Sequence, residues 1–304
     1  MKRIILLFLT VIMCISCTQS EKNIFEIKDA YFGQKPPGLS PDIFAPGILS
    51  HPDRLESKVV FSHDGSECYF GVVEIKDNRA SNKIYYTQYV NNRWTEQVET
   101  PFSGSSPFVS AKGKKLYFAR DGDIWMVKRT LNGWGEPQLL PAPINSTARE
   151  TSYTETSNGV AYVSSNRSGG IGKGYDIWRV ATLTNQSLQA ENLGPIVNSS
   201  SFDVSPLIAP DGSYLIFGSE RNGRRGEAHL YICFSKGNGE WTSPINMNSS
   251  GDIVNNETAH HSGPSLSPDG KYLFFKRHES MYVMDIYWIN IGVIEKIKER
   301  AFQD

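Results

Sequence analysis

Cysteine is scarce, with only four in 304 residues. Two of them, Cys14 and Cys17, lie in the N-terminal leader, so at most one disulfide, between Cys68 and Cys233, could form in an oxidising compartment. Charge of one sign is also missing. The chain carries 31 Lys and Arg against 32 Asp and Glu, and a near-neutral surface gives no electrostatic reason to expect nucleic acid. The one long apolar run, Ile4 to Ile15, is too short to span a bilayer. No G-x-S-x-G elbow, H-E-x-x-H helix or P-loop occurs, so serine hydrolases, zincins and NTPases of those types lose their usual marks.

Lys2 and Arg3 ahead of that apolar run have the order of a secretory signal. Cys17 follows Ile15-Ser16, which resembles a bacterial lipobox with Cys14 in place of the usual Leu. The resemblance implies cleavage after residue 16, a lipid on Cys17 and a place in the bacterial cell envelope, at the outer membrane and facing periplasm or cell surface. Acyl chains on one residue would then anchor the protein without a transmembrane helix. Residues 17–40 read as a lipidated Cys and a tether, being polar from Thr18 to Lys22 and interrupted by Pro36-Pro37-Gly38.

What the chain has in quantity is repetition. A turn ending in Gly, an aromatic strand and a second strand of D-I-W/Y type return five times, anchored at Gly65, Gly113, Gly159, Gly212 and Gly270. The spacings are 48, 46, 53 and 58 residues, a period that predicts one four-stranded propeller blade per repeat. In the second repeat Lys115 to Arg120 and Asp123 to Lys128 flank Asp121-Gly122, a strong hairpin signal. Trp94, Trp134 and Trp241 mark the outer part of three repeats, with Pro137 and Pro244 suited to an outer edge. The fifth repeat lacks its outer segment, and Pro41 to Ser50 aligns without gaps on Pro137 to Ser146. The expectation is an all-β chain: a five-bladed β-propeller over 41–292 closed by an N-terminal strand, with six blades as the alternative and a short helix in the tail 293–304. In that register Cys68 and Cys233 fall on non-adjacent blades, so both are expected as free, buried thiols.

The phrases Ser267-Pro268-Asp269-Gly270, Ala209-Pro210-Asp211-Gly212, Ser165-Asn166-Arg167-Ser168-Gly169-Gly170 and Asp176-Ile177-Trp178 resemble the TolB-type, WD-like β-propeller repeat, across nearly all of 41–292. His63-Asp64-Gly65 and His229 depart from it. The resemblance implies a propeller and, more weakly, binding of proteins or carbohydrates in the envelope; some related propellers are polysaccharide lyases.

Nine residues before each anchoring Gly stand Glu56, Gly104, Glu150, Asp203 and His261, with Arg149 and His260 beside them. Equivalent positions at the start of the inner strands would ring the mouth of the central channel. Such a ring could grip sugar hydroxyls, hold a divalent cation or supply an acid and a base. It could equally be structural, accepting hydrogen bonds from the adjoining blade. Arg120, Arg167, Arg221 and Arg277, together with Asp123, Asp176 and Asp285, read as pins within the blades. The adjacent pair His260-His261 is short of the three or four ligands that zinc needs. The Gly170 to Gly174 stretch lies between strands and opens no helix, so it is no phosphate loop. With no complete catalytic constellation and no cofactor implied, the expected function is a monomeric, non-catalytic recognition module. Its partner would be an envelope protein or glycan at the channel mouth. The alternative is a carbohydrate-active enzyme, a lyase or glycosidase, built on the acid and His ring.

Overall fold

The computed structural model describes residues 31–302 apart from 78, 173, 183–186, 223–225, 249–253, 256–258 and 281–282. The signal, Cys17 and the first part of the expected tether therefore lie outside the described residues.

Aromatic and β-branched residues alternate with polar ones in short runs broken by glycine turns, and each repeat folds as one antiparallel sheet. The chain enters through β1 (Asp42–Ile43). Blade one is β2 (Leu55–Phe61), β3 (Glu67–Lys76) and β4 (Arg79–Val90), with the short outer strands β5 (Arg93–Trp94) and β6 (Val98–Glu99) both on β4. Blade two repeats this with β7 (Ser105–Val109), β8 (Lys115–Arg120), β9 (Asp123–Thr130), β10 (Gly133–Trp134) and β11 (Gln138–Leu139). Blade three is β12 (Glu150–Glu155), β13 (Ala161–Ser165), β14 (Asp176–Thr182) and β15 (Leu188–Asn192), followed by a one-turn helix α1 (Gly194–Val197). Blade four is β16 (Asp203–Ile208), β17 (Tyr214–Ser219), β18 (His229–Gly237), β19 (Glu240–Trp241) and β20 (Ile245–Asn246). Blade five is β21 (His260–Leu266), β22 (Tyr272–Ser280) and β23 (Val283–Asn290), and the chain ends in α2 (Gly292–Ala301).

The fourth strand of blade five is β1, antiparallel to β23 with Asp42 opposite Trp288 and Ile43 opposite Tyr287. Phe44 N–H continues the pairing to the Ile286 carbonyl at 2.8 Å. Five blades closed by an N-terminal strand is thus the architecture, and no sixth sheet occurs among the described residues. The five anchoring glycines all have positive φ, from 65° to 86°, which is why Gly recurs there.

Five apolar clusters fill the ring, each between neighbouring blades. Phe44, Phe61, Phe70, Phe274 and Trp288 join blades five and one, and Tyr69, Leu116 and Phe118 join one and two. Tyr117, Tyr153 and Trp178 join two and three, Ile177, Phe217 and Trp241 three and four, and Ile232, Phe275 and Ile289 four and five. The stripe Val293, Ile294 and Ile297 docks α2 on the last of these. Cys68 and Cys233 are free and buried in two different clusters, and burial pushes the Cys233 thiol up to about 12.

Residues 31–40, expected as spacer, instead pack against the propeller. Tyr31 is buried and donates to Asp269 at 2.9 Å, and Phe32 stacks on Trp94 with centroids 4.4 Å apart. The reason is aromatic content, since Tyr31 and Phe32 pack on the rings of blades five and one, and Pro37 is buried as well.

Candidate functional site

The five positions nine residues before the glycines are structurally equivalent. Glu150 and Asp203 open their inner strands, Glu56 and His261 are second in theirs, and Gly104 immediately precedes β7. All four side chains are fully buried. The backbone N–H groups of Glu150, Asp203 and His261 donate to the carbonyls of Gly122, Tyr175 and Ala228 in the preceding blade, at 2.7 to 2.8 Å. These bonds link neighbouring blades through the backbone, whereas the structural alternative expected the carboxylates themselves to accept from the adjoining blade.

The side chains end on arginines of their own blades. Glu150 accepts from Arg167 at 3.0 Å and from the Ser146 and Ser165 hydroxyls at 2.7 and 2.6 Å. Asp203 accepts from Arg221 at 2.9 Å and from the Ser199 hydroxyl at 2.8 Å. Arg277 Nε donates to His261 Nε2 at 3.2 Å, and Arg54 Nε donates to Glu56 at 2.7 Å. Each guanidinium also lies over an aromatic ring: Arg167 over Trp178, Arg221 over Tyr231, Arg277 over Tyr287 and Arg54 over Phe70, at 4.0 to 5.3 Å. Three of these rings are the aromatic of the D-I-W/Y phrase or its copy. The phrase therefore serves as a platform that aims an Arg at the ring residue.

Blade two lacks this unit. A Cβ at Gly104 would fall 2.5 Å from the Phe118 ring and 2.8 Å from the Ala119 carbonyl, so no acid fits there. Arg120 sits on Trp125 at 3.7 Å without an ion-pair partner among the described residues. Arg149 is exposed, packs over Gly122 and lines a cavity of about 440 Å³ with Glu150. His260 is half-buried, its Nε2 lying 3.2 Å from the Ser262 hydroxyl.

Burial dominates the titration of Glu56, His260 and His261. It lifts Glu56 to about 7 against the opposing pull of Arg54. It depresses His261 to about 3 and His260 to about 4, helped by Arg277 and Lys276 respectively. Both imidazoles are neutral at pH 7. Among the described residues no three His, Cys, Asp or Glu side chains gather as a metal site.

Two further devices escape the sequence reading. Asn145, Asn198 and Asn255 each clamp both backbone groups of the middle residue of the D-I-W/Y phrase, Ile124, Ile177 and Leu230, at 2.7 to 3.1 Å. Ser50 does the same at Ile286, at 3.2 and 3.4 Å. The signal was present: Ile144-Asn145-Ser146 recurs as Val197-Asn198-Ser199. The second device is a bulge in every inner strand, with Ser106, Ser205 and Gly263 at positive φ, each followed by proline.

These bulges lie against the axial channel. At the N-terminal ends of the inner strands a cavity of about 400 Å³ is lined by Ser57, Ser105, Ser106, Ser205, Ser262, Gly263, Lys276 and His278, among others. At the opposite ends a cavity of about 340 Å³ takes residues from all five blades, Lys58 and Glu155 among them. A larger cavity of about 730 Å³, bounded by His51 to Leu55 and Val72 to Ile75, lies against blade one. Glu56, Asp203 and His261 line none of these.

No protein-family model matches the chain, and no curated protein matches it. Solved structures do. TolB from Acinetobacter baumannii is 14% identical over 77% of this chain and 54% of its own, with a TM-score of 0.46, so this chain spans about half the length of that protein. A putative TolB from Agrobacterium tumefaciens is 14% identical over 79% and 78%, with a TM-score of 0.48. An α-L-arabinofuranosidase from Podospora anserina, solved with cellotriose, is 10% identical over 83% and 97%, with a TM-score of 0.52. At 10% identity the likeness to the arabinofuranosidase is one of fold alone, and it is the chain's own five sheets that make it a β-propeller.

Proposed function

We propose that this protein is a lipid-anchored propeller of the bacterial envelope that acts as a non-catalytic recognition module, binding a glycan or a protein partner at the axial mouth. One observation carries the reading. The acids and the imidazole that could have formed an acid and base pair are each consumed by an Arg clamp inside a blade, while the mouth itself is lined by serine hydroxyls. A general base needs to reach the proton it abstracts, and His261 is fully buried behind Arg277. The lipobox-like sequence at Cys17 supports the anchor, and Cys17→Ser should move the protein from the membrane to the soluble fraction.

The test pairs turnover with retention. The full chain is incubated with uronate-containing polysaccharides while the ultraviolet absorbance of unsaturated products is followed, and it is separately used to capture ligands from solubilised envelope. Capture without turnover is expected, and the Glu150→Ala, Asp203→Ala double variant should lose thermal stability while its folded fraction keeps the same ligand. Turnover that His261→Ala abolishes would overturn the proposal in favour of a carbohydrate-active enzyme.

A further inference from the structure

Lysine is almost never fully buried without a partner, yet two lysines flank the bulge at Gly263. A Cβ placed there would meet the Ser57 carbonyl at 2.9 Å, the Lys58 Cβ at 3.7 Å and the Lys276 Cβ at 3.9 Å. Lys58 is 3% exposed, and Lys276 is half-buried. Neither lysine has an ion-pair partner among the described residues. Glu155 lines the same cavity as Lys58, but it accepts from the Tyr153 and Tyr117 hydroxyls at 2.7 and 3.4 Å.

The cavity that Lys276 lines has no carboxylate in its wall. Four blades supply hydroxyls to it through Ser57, Ser105, Ser205 and Ser262, counting Ser205 from blade four, and Ser57 Oγ is buried without a hydrogen-bond partner. His278 completes the wall, its ring 6.4 Å from that of His260. The wall thus carries one ammonium group and many donors, and among the described residues that line it no carboxylate neutralises that charge. The stems of both lysines meet at one bulge, and taking lysine charge out of water disfavours folding, a cost that an anion seated against Lys276 would offset.

We infer that the axial mouth at Lys276 is an anion site, where Lys276 and the surrounding serine hydroxyls take a carboxylate or phosphate group of the ligand while Lys58 adds a second positive charge through the Gly263 wall. The inference rests on the recognition reading above and names the chemistry of that same mouth. Burial holds both lysines at about 8, so both are charged at neutral pH. Lysine suits the role as a point charge that hydroxyls can supplement. The volume of about 400 Å³ admits one sugar ring or a phosphate, not a folded domain.

The experiment is calorimetric titration of the full chain with inorganic phosphate, D-glucuronate and uncharged D-glucose at constant ionic strength. At least one anion is expected to bind while glucose does not, phosphate alone pointing to phosphoryl ligands and glucuronate alone to acidic sugars. Lys276→Met should weaken that anion roughly tenfold or more, as loss of a charge-assisted bond implies, with Lys276→Arg retaining most of it. Removing an unpaired charge should not unfold the blade, and Ser57→Ala gives a second, milder weakening should Lys276→Met fail to fold. Equal behaviour of anions and glucose, or undiminished anion binding by Lys276→Met, overturns the inference. If capture from the envelope persists in either of those cases, the anion site fails and the recognition module stands.

Discussion

Arg167 shows how one side chain can decide what a neighbouring acid does. It donates to Glu150 and to the carbonyls of Pro143 and Ile144 at 2.7 to 3.0 Å, so it ties an inner strand to the linker that precedes it. Removing the guanidinium leaves a fully buried carboxylate with only hydroxyl and amide donors, whereas Glu150→Gln keeps most of its bonds. Arg167→Met is therefore expected to cost about 3–5 kcal/mol in urea unfolding, and Glu150→Gln only about 1–2 kcal/mol. Equal losses would refute the clamp. Gly263 is the other residue with an unusual demand: its φ is +63° and a Cβ would crowd the Ser57 carbonyl. Gly263→Ala should lower the unfolding free energy by about 2 kcal/mol or more, since strain in the left-handed region adds to a backbone clash. At this scale the sequence located the ring residues by counting from glycines, because turn chemistry repeats locally. It could not show that Arg167 and Arg221 reach back to them, because that pairing depends on which face of a bulged strand each side chain takes.

At the scale of elements, legibility followed locality. The hairpin at Asp121-Gly122, the outer Trp strands and the borrowed closing strand all come from patterns within one repeat or from aligning two. Residues 31–40 went astray because their partners are distant in sequence: Tyr31 bonds Asp269 across 238 positions. The closing strand is only two residues long, so backbone bonds alone cannot hold it. Phe44 is the anchor, fully buried among Phe61, Phe274 and Trp288 with centroids 4.8 to 6.1 Å apart. Phe44→Ala should therefore cost about 3–5 kcal/mol and open the ring at blade five first. Hydrogen exchange is expected to show early loss of protection at β23 and β22, while β13 and β14 keep theirs. Uniform loss across all blades would mean that closure is not made at this seam.

Lys58 and Lys276, both without an ion-pair partner among the described residues, meet at the Gly263 bulge, and this has a signature in pH. Lys58 and Lys276 sit at about 8 in the folded chain against an ordinary 10.5, so between those values the unfolded chain binds more protons and stability rises with pH. The groups facing Lys276 are His260 and His278, both held low by burial and therefore neutral in this range. Glu155 faces Lys58 with its carboxylate held by two tyrosine hydroxyls. The buried thiols of Cys68 and Cys233 act in the opposite direction, because their raised values make the unfolded chain lose protons first above 9. The lysines contribute about 1 kcal/mol each by pH 9, the thiols remove about half that or less, and Glu56, lifted to about 7, removes about 0.4 kcal/mol as its proton leaves, so the net gain from pH 7 to 9 is about 1 kcal/mol. Denaturant titrations at the two pH values should show it in the wild type, and the Lys58→Met, Lys276→Met double variant should be more stable at pH 7 and flat or falling towards pH 9. A wild type that weakens from pH 7 to 9, or a double variant no more stable than its parent, would mean that the two ammonium groups are solvated or paired, and the axis would lose its claim to an anion.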